Sequence, residues 1–175
     1  MSRVAARPSR RRGLAGVVDA VVTAWALAGG LVLLAVVAMT VLSVAGAAGL
    51  GRRFAGDVEL VRMGTAIAAF AFLPYAQLTR ADVRADLFTR GASRRARAAF
   101  DLAAGLAALA VALVLCWRMS AGMLDYRRYQ ETTAILEIPH WLAFPPIVVS
   151  LALVAAAAAV NLAETARELR RQGRG

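Results

Sequence analysis

The sequence predicts an all-α integral membrane protein with four transmembrane helices, both termini in the cytoplasm and a short interfacial helix between spans 2 and 3. Composition is the first reason: 60% of the 175 residues are hydrophobic and the mean hydropathy is +0.61, whereas soluble domains have roughly 45–50% apolar residues. The second reason is a set of four uncharged runs, at 20–45, 63–79, 102–117 and 141–163. The third is that all 21 basic residues are arginines, which lie between and beside these runs.

The chain divides into three predicted parts. We expect a basic cytoplasmic tail at 1–16, a four-helix membrane domain at 17–165 and a basic cytoplasmic tail at 166–175. Since about 20 apolar residues cross a bilayer, the spans are predicted at about 19–45, 58–79, 99–120 and 140–163. The first uncharged run has 26 residues, but a cleaved signal peptide needs an apolar core of only about 7–15. It therefore predicts a retained span, despite the paired arginines before it.

The positions of the arginines predict which side of the membrane each segment occupies. Fifteen lie in the N-terminal tail, the segment 79–98 and the C-terminal tail, and the other six are Arg52, Arg53, Arg62, Arg118, Arg127 and Arg128. Cytoplasmic segments carry the arginine excess, so the first set and both termini are predicted to be cytoplasmic. In a chain with such long apolar runs, the net charge of +10 favours anionic lipid headgroups as a partner over nucleic acid.

The segment 79–98 is the most highly charged connection, with six arginines and two aspartates. Within it Val83 and Leu87 fall on one side of a possible helix together with Phe88, which is typical of a helix lying in the membrane interface. Its other faces carry Asp82, Arg84 and Asp86.

The sequence contains no catalytic or metal-binding constellation. His140 and Cys116 are the only histidine and cysteine, and such a pair does not make a zinc site. No glycine-rich phosphate loop follows a predicted strand, so we expect no cofactor and no enzymatic activity. The uncharged runs also lack the intramembrane ionisable group that a stand-alone proton-coupled carrier usually needs.

Two further segments contain candidate functional residues at the ends of spans. Glu59 and Arg62 open the second span three residues apart, so they share a helix face, and Glu59 lies near the positive end of the helix dipole. Glu131 lies in the connection to the fourth span. There Pro139 suits a helix start, and Trp141 suits the membrane interface.

Three motifs carry a resemblance to a known family. They are Glu59-Leu60-Val61-Arg62 at the second span, Arg80-Ala81-Asp82-Val83-Arg84-Ala85-Asp86-Leu87-Phe88 after it, and Glu131-Thr132 through Leu136-Glu137-Ile138-Pro139-His140-Trp141 before the fourth span. With the four-span plan, they make the chain resemble the small membrane subunit of tripartite ATP-independent periplasmic (TRAP) transporters, the DctQ-like small permeases. Asp82 departs from the pattern, because the family often has histidine there.

The resemblance implies a multi-subunit transporter of the bacterial inner membrane. In such systems a large permease carries the solute and sodium sites, and a periplasmic binding protein delivers the solute, commonly an organic acid. The small subunit is a fixed, non-catalytic scaffold. The candidate partner-interface or structural residues are Glu59, Arg62, Asp82, Arg84, Asp86, Glu131, Pro139 and Trp141.

Some alternatives remain open from the sequence. The chain is alternatively a self-sufficient small exporter that acts as an oligomer, or a membrane assembly or structural protein unrelated to transport. A neighbouring gene for a large permease would favour the scaffold over both. In the first span, Gly29-Gly30 indicates either ordinary glycine in a membrane helix or the close approach of a neighbouring helix.

Overall fold

The computed structural model describes residues 14–51, 54–79 and 94–172. In these ranges the chain forms four long α-helices and one short 3₁₀ helix, namely α1 Leu14–Leu50, α2 Asp57–Thr79, α3 Arg94–Tyr129, the 3₁₀ helix His140–Ala143 and α4 Phe144–Gln172. Each long helix contains a stretch that is long and apolar enough to cross a membrane, so the predicted all-α fold with four spans is confirmed. The predicted interfacial helix falls at 80–93, outside the described residues.

Three helices extend well beyond the predicted spans, and among them α4 continues to Gln172, past the end expected at about 163. α1 has 37 residues, which is about 55 Å of helix at 1.5 Å per residue, so it tilts within a hydrocarbon core of about 30 Å or projects beyond it. α3 continues to Tyr129, past the end expected at about 120. Despite Gly122, the segment 119–124 contains mostly good helix formers and no proline. Arg127 and Arg128 in the last turn complement the negative end of the helix dipole.

The helices form an open row with α2 and α4 at its centre. α1 packs along α2, α2 along α4, and α4 along α3, with a smaller contact between α1 and α4. A buried cluster of Val22, Leu78 and Ala157 joins α1, α2 and α4. The outer helix α3 buries Ala112 but leaves Trp117 69% exposed. The two outer helices therefore present much of their apolar surface away from the row.

Glycine permits the close approach of α1 and α2. A Cβ added at Gly29 would lie 2.5 Å from the Cβ of Ala71, and one added at Gly64 of α2 would overlap Val36 of α1. At Gly30 the nearest atom, on Phe72, would be 4.0 Å away. Of the two adjacent glycines in α1, Gly29 is thus the one whose missing side chain the helix contact requires.

Polar side chains also join α4 to both α1 and α2. Trp25 of α1 donates its indole N–H to the hydroxyl of Ser150 at 2.9 Å, and that hydroxyl donates to the carbonyl of Pro146 at 2.7 Å. Asn161 of α4 donates its side-chain amide to the carbonyl of Gln77 at 2.7 Å. Such bonds contribute about 0.6–2 kcal/mol each between helices in a membrane, so they fix the register of α4 against its neighbours.

Candidate functional site

The connection between α3 and the 3₁₀ helix is a compact loop, called the 131–140 loop below. Thr133 and Ile138 are paired in both directions, because the Thr133 N–H donates to the Ile138 carbonyl at 2.9 Å and the Ile138 N–H donates to the Thr133 hydroxyl at 3.0 Å. The His140 N–H donates to the Glu131 carbonyl at 3.0 Å. The loop therefore closes on itself, which fixes the direction of its tip.

The tip of this loop docks onto the start of α2 through Glu59. One carboxylate oxygen of Glu59 accepts the N–H of Ile135 at 2.8 Å, and the other accepts the N–H of Leu136 at 3.0 Å. Hydrogen bonds to an ionised carboxylate are stronger than bonds between neutral groups. Glu59 therefore holds a loop that is far away in the sequence through a bidentate contact of its carboxylate.

Gly56 completes the contact between the loop and α2. It has a φ of +86°, which glycine adopts without the steric cost of a Cβ. A Cβ at this position would also overlap the side chain of Leu136. The end of α1 joins the same region, since Ser43 donates its hydroxyl to the carboxylate of Asp57 at 2.7 Å. Three separate parts of the chain thus meet at the start of α2.

An open cleft of about 510 Å³ lies beside this contact. It is lined by Glu59, Arg62, Met63, Ala66, Tyr126, Thr132, Thr133, Ala134, His140, Ala143 and Phe144. The ring of Tyr126 in α3 contacts two rings of the cleft in tilted arrangements, with centroid distances of 5.8 Å to His140 and 5.2 Å to Phe144. Arg62 is exposed and has no ion-pair or hydrogen-bond partner within the described part of the chain.

The aromatic rings beside the cleft hold the start of α4 against the end of α3. The guanidinium of Arg127 lies 5.6 Å from the ring centroid of Trp141, a favourable cation–π distance. The chain leaves the 131–140 loop through Pro139, whose carbonyl accepts the N–H of Leu142 at 3.1 Å and so begins the 3₁₀ helix. Among the described residues, no group of three or more His, Cys, Asp or Glu side chains could hold a metal ion.

The sequence model for the family described as "Tripartite ATP-independent periplasmic transporters, DctQ component" matches residues 36–168. The chain belongs to this family. No curated protein and no solved structure matches the chain. The DctQ component is part of a transporter, and the family is not an enzyme family. Together with the four long apolar helices, it indicates a multi-pass protein of the bacterial inner membrane.

The structure brings two of the three DctQ-like motifs together. The first supplies Glu59 and Arg62 to the cleft, and the third forms the loop that Glu59 holds. Within the third motif, Glu131 contributes its backbone carbonyl, Pro139 pairs with Thr132 as an isolated bridge, and Trp141 packs under Arg127. The predicted site residues of the second motif fall at 80–93, outside the described residues, and they are Asp82, Arg84 and Asp86.

Four residues that build this region were not among the candidate site residues predicted from the sequence. Gly56 and Leu136 make the docking contact, while Tyr126 and Phe144 form walls of the cleft. Gly56 could have been identified from the sequence, because a glycine just before the start of a helix often marks a positive φ. The aromatic residues had no comparable signal, since aromatic side chains near the ends of spans are common in membrane helices.

Proposed function

We propose that this protein is the scaffold subunit of a sodium-driven TRAP transporter. In this proposal a large permease subunit binds the solute and sodium, and a periplasmic solute-binding protein delivers the solute, an organic acid. The DctQ-component match over residues 36–168 is the observation that supports it. The small subunit performs no chemistry of its own and braces the part of the permease that stays still during transport.

The distribution of charge and apolar surface supports a bracing role. The uncharged runs supply no Asp, Glu, Arg or His side chain to a solute or proton path inside the membrane. On α1, Leu27, Leu31 and Leu34 are spaced along one helix face and are each about two-thirds exposed. An apolar face of this kind lies against lipid or against another membrane protein, and close helix packing rather than a hydrophobic effect would hold such a partner.

The orientation is part of the proposal. With the 15 arginines of the two tails and the segment 79–98 in the cytoplasm, the tails 1–16 and 166–175 meet anionic lipid headgroups on that side. The cleft and the 131–140 loop then face the periplasm. This position would let the loop contact the solute-binding protein, because Glu59 keeps its backbone in a fixed shape.

Reconstitution tests the proposed role of the whole chain. Liposomes with a sodium gradient would receive solute-loaded binding protein and this chain, with or without the large permease. We expect uptake only when the large permease is present, and reduced uptake by the permease without the small chain. Robust transport by the small chain alone would contradict the scaffold and support a self-sufficient exporter.

Co-purification tests the predicted interface residue Asp86. Asp86 matches the family's aspartate, and we propose that it holds the segment 79–98 against the large permease or the next helix. Asp86→Ala should lower the yield of the complex, with Asp101→Ala as a control for loss of an acid elsewhere on the same side. An equal yield of complex for both variants would indicate that Asp86 only keeps its segment hydrated and does not hold it against the permease or the next helix.

A further inference from the structure

The cleft beside α2 has an apolar wall and a positive charge, a combination that the proposed scaffold role does not use. Ala66 lies four residues after Arg62 and three after Met63 on α2, and all three line the cleft. Ala143, the last residue of the 3₁₀ helix, and Phe144, the first residue of α4, line it as well. The volume of about 510 Å³ lies within the range of sites for small molecules. The lining is suited to a ligand with one charged end and one apolar end.

The position of the cleft along α2 places it at the headgroup level of a bilayer. Arg62 follows Asp57, the first residue of α2, by about 7.5 Å along the helix axis. The uncharged run then begins at Met63 and has 17 residues, or about 26 Å of helix. Because this length is close to the hydrocarbon thickness, Arg62 lies at the headgroup boundary, and Met63 and Ala66 lie at the level of the acyl chains.

The polar groups of the cleft favour a phosphate. Arg62 is exposed and has no partner within the described part of the chain, and a guanidinium binds phosphate oxygens with well-matched geometry. Glu59 also lines the cleft, but each of its carboxylate oxygens already accepts a backbone N–H, which offsets its repulsion of an anion. His140 also lines the cleft, and its Nδ1 is shielded from solvent and has no hydrogen-bond partner among the described residues, so a bound phosphate or glycerol oxygen would supply the missing partner.

We propose that the cleft binds one phospholipid molecule. The guanidinium of Arg62 holds the phosphate, His140 contacts the phosphate or glycerol oxygens, and an acyl chain begins along Met63, Ala66 and Phe144. A free inorganic phosphate would use Arg62 but would gain nothing from the apolar wall. A charge at the headgroup boundary that continues into apolar surface at the level of the acyl chains therefore favours a lipid as the occupant.

Native mass spectrometry of the purified full chain tests the site. Phosphatidylglycerol would be titrated against diacylglycerol with the same acyl chains, since diacylglycerol lacks only the phosphorylated headgroup. We expect one phosphatidylglycerol to bind more tightly than diacylglycerol, and Arg62→Gln to weaken this binding about tenfold because a charged hydrogen-bond partner is lost. Arg128→Gln is the matched control, because Arg128 is exposed, lies at the end of α3 and is outside the cleft.

A second variant keeps every charge and changes only the shape of the cleft. Ala66→Phe fills the apolar wall, so it should also reduce phosphatidylglycerol binding, and circular dichroism would verify that both variants retain their helices. Equal phosphatidylglycerol binding by Arg62→Gln and Arg128→Gln would overturn the proposal, as would wild-type binding in Ala66→Phe. Displacement of the lipid by millimolar inorganic phosphate would also overturn it, because it would indicate a site for the free anion.

Discussion

The contact between α1 and α2 at Gly29 allows a quantitative prediction of how a substitution there changes the free energy of unfolding. A Cβ at Gly29 would lie 2.5 Å from the Cβ of Ala71, and carbon atoms in contact are ordinarily about 3.5–4.0 Å apart. Gly29→Ala therefore forces the two helices apart by about 1 Å, and such overpacking typically costs about 1–3 kcal/mol. The helix-propensity gain from glycine to alanine, about 1 kcal/mol, opposes this cost and has to be separated from it.

Gly30→Ala is the matched control for this prediction. It makes the same chemical change one residue further along α1, but its nearest neighbour is 4.0 Å away. Since both variants receive the same propensity gain, the difference in unfolding free energy between them isolates the helix contact. We expect Gly29→Ala to be about 1–3 kcal/mol less stable than Gly30→Ala, measured by denaturant or SDS titration of the purified protein with circular dichroism.

A compensating double variant examines the same contact from the other side. In Gly29→Ala with Ala71→Gly, the nearest atoms to the new Cβ would be the Ala68 carbonyl oxygen at 3.5 Å and the Cα of residue 71 at 3.7 Å. Both are ordinary contact distances, and the propensity changes cancel, so stability should return close to that of the unchanged protein. If Gly29→Ala is as stable as Gly30→Ala, or if the double variant is no better than the single one, the close approach of α1 and α2 is refuted.

Three further predictions concern the loop, the helix register and the topology. Glu59→Ala should speed amide hydrogen exchange at Ile135 and Leu136 by about tenfold, because both N–H groups lose a charged acceptor. Glu131→Ala is the control, and equal exchange rates in the two variants would contradict the role of Glu59 in holding the loop. Trp25→Phe should lower the unfolding free energy by about 0.6–1.7 kcal/mol through loss of the bond to Ser150, and unchanged stability would argue against that bond. Reporter fusions at residue 90 and after residue 175 should read cytoplasmic, and fusions at 52 and 128 periplasmic; a periplasmic signal at residue 90 would reverse the orientation.

The family motifs were visible in the sequence, but the way they combine was not. The spacing of Glu59 and Arg62 predicts that they share a helix face, and both line the cleft. Nothing in that spacing identifies the acceptor role of Glu59, because its donors are 76 and 77 residues away in the chain. The sequence marked the 131–140 loop as a family motif but did not predict its internal pairing, since the bonds between Thr133 and Ile138 depend on the backbone shape.

The sequence by itself determined the number and type of the spans. A run of apolar residues as long as 20–45 or 141–163 must satisfy every backbone N–H and C=O within the bilayer, and a helix does so without any partner. This requirement is local, so a long apolar run is enough to predict a membrane-spanning helix. The start of α2 could also be predicted from local sequence, because acidic residues favour the positive end of a helix dipole.

Only the tertiary structure decided how the spans are arranged and which residues join them. Apolar residues cover most of α1, and lipid tails are as apolar as a neighbouring helix, so hydrophobicity does not mark the face that another helix will cover. The choice depends on close packing, and this is why Gly29 lies against Ala71 while Gly30 does not. The pairing of Trp25 with Ser150 and of Glu59 with the loop tip likewise exists only once distant segments are held side by side.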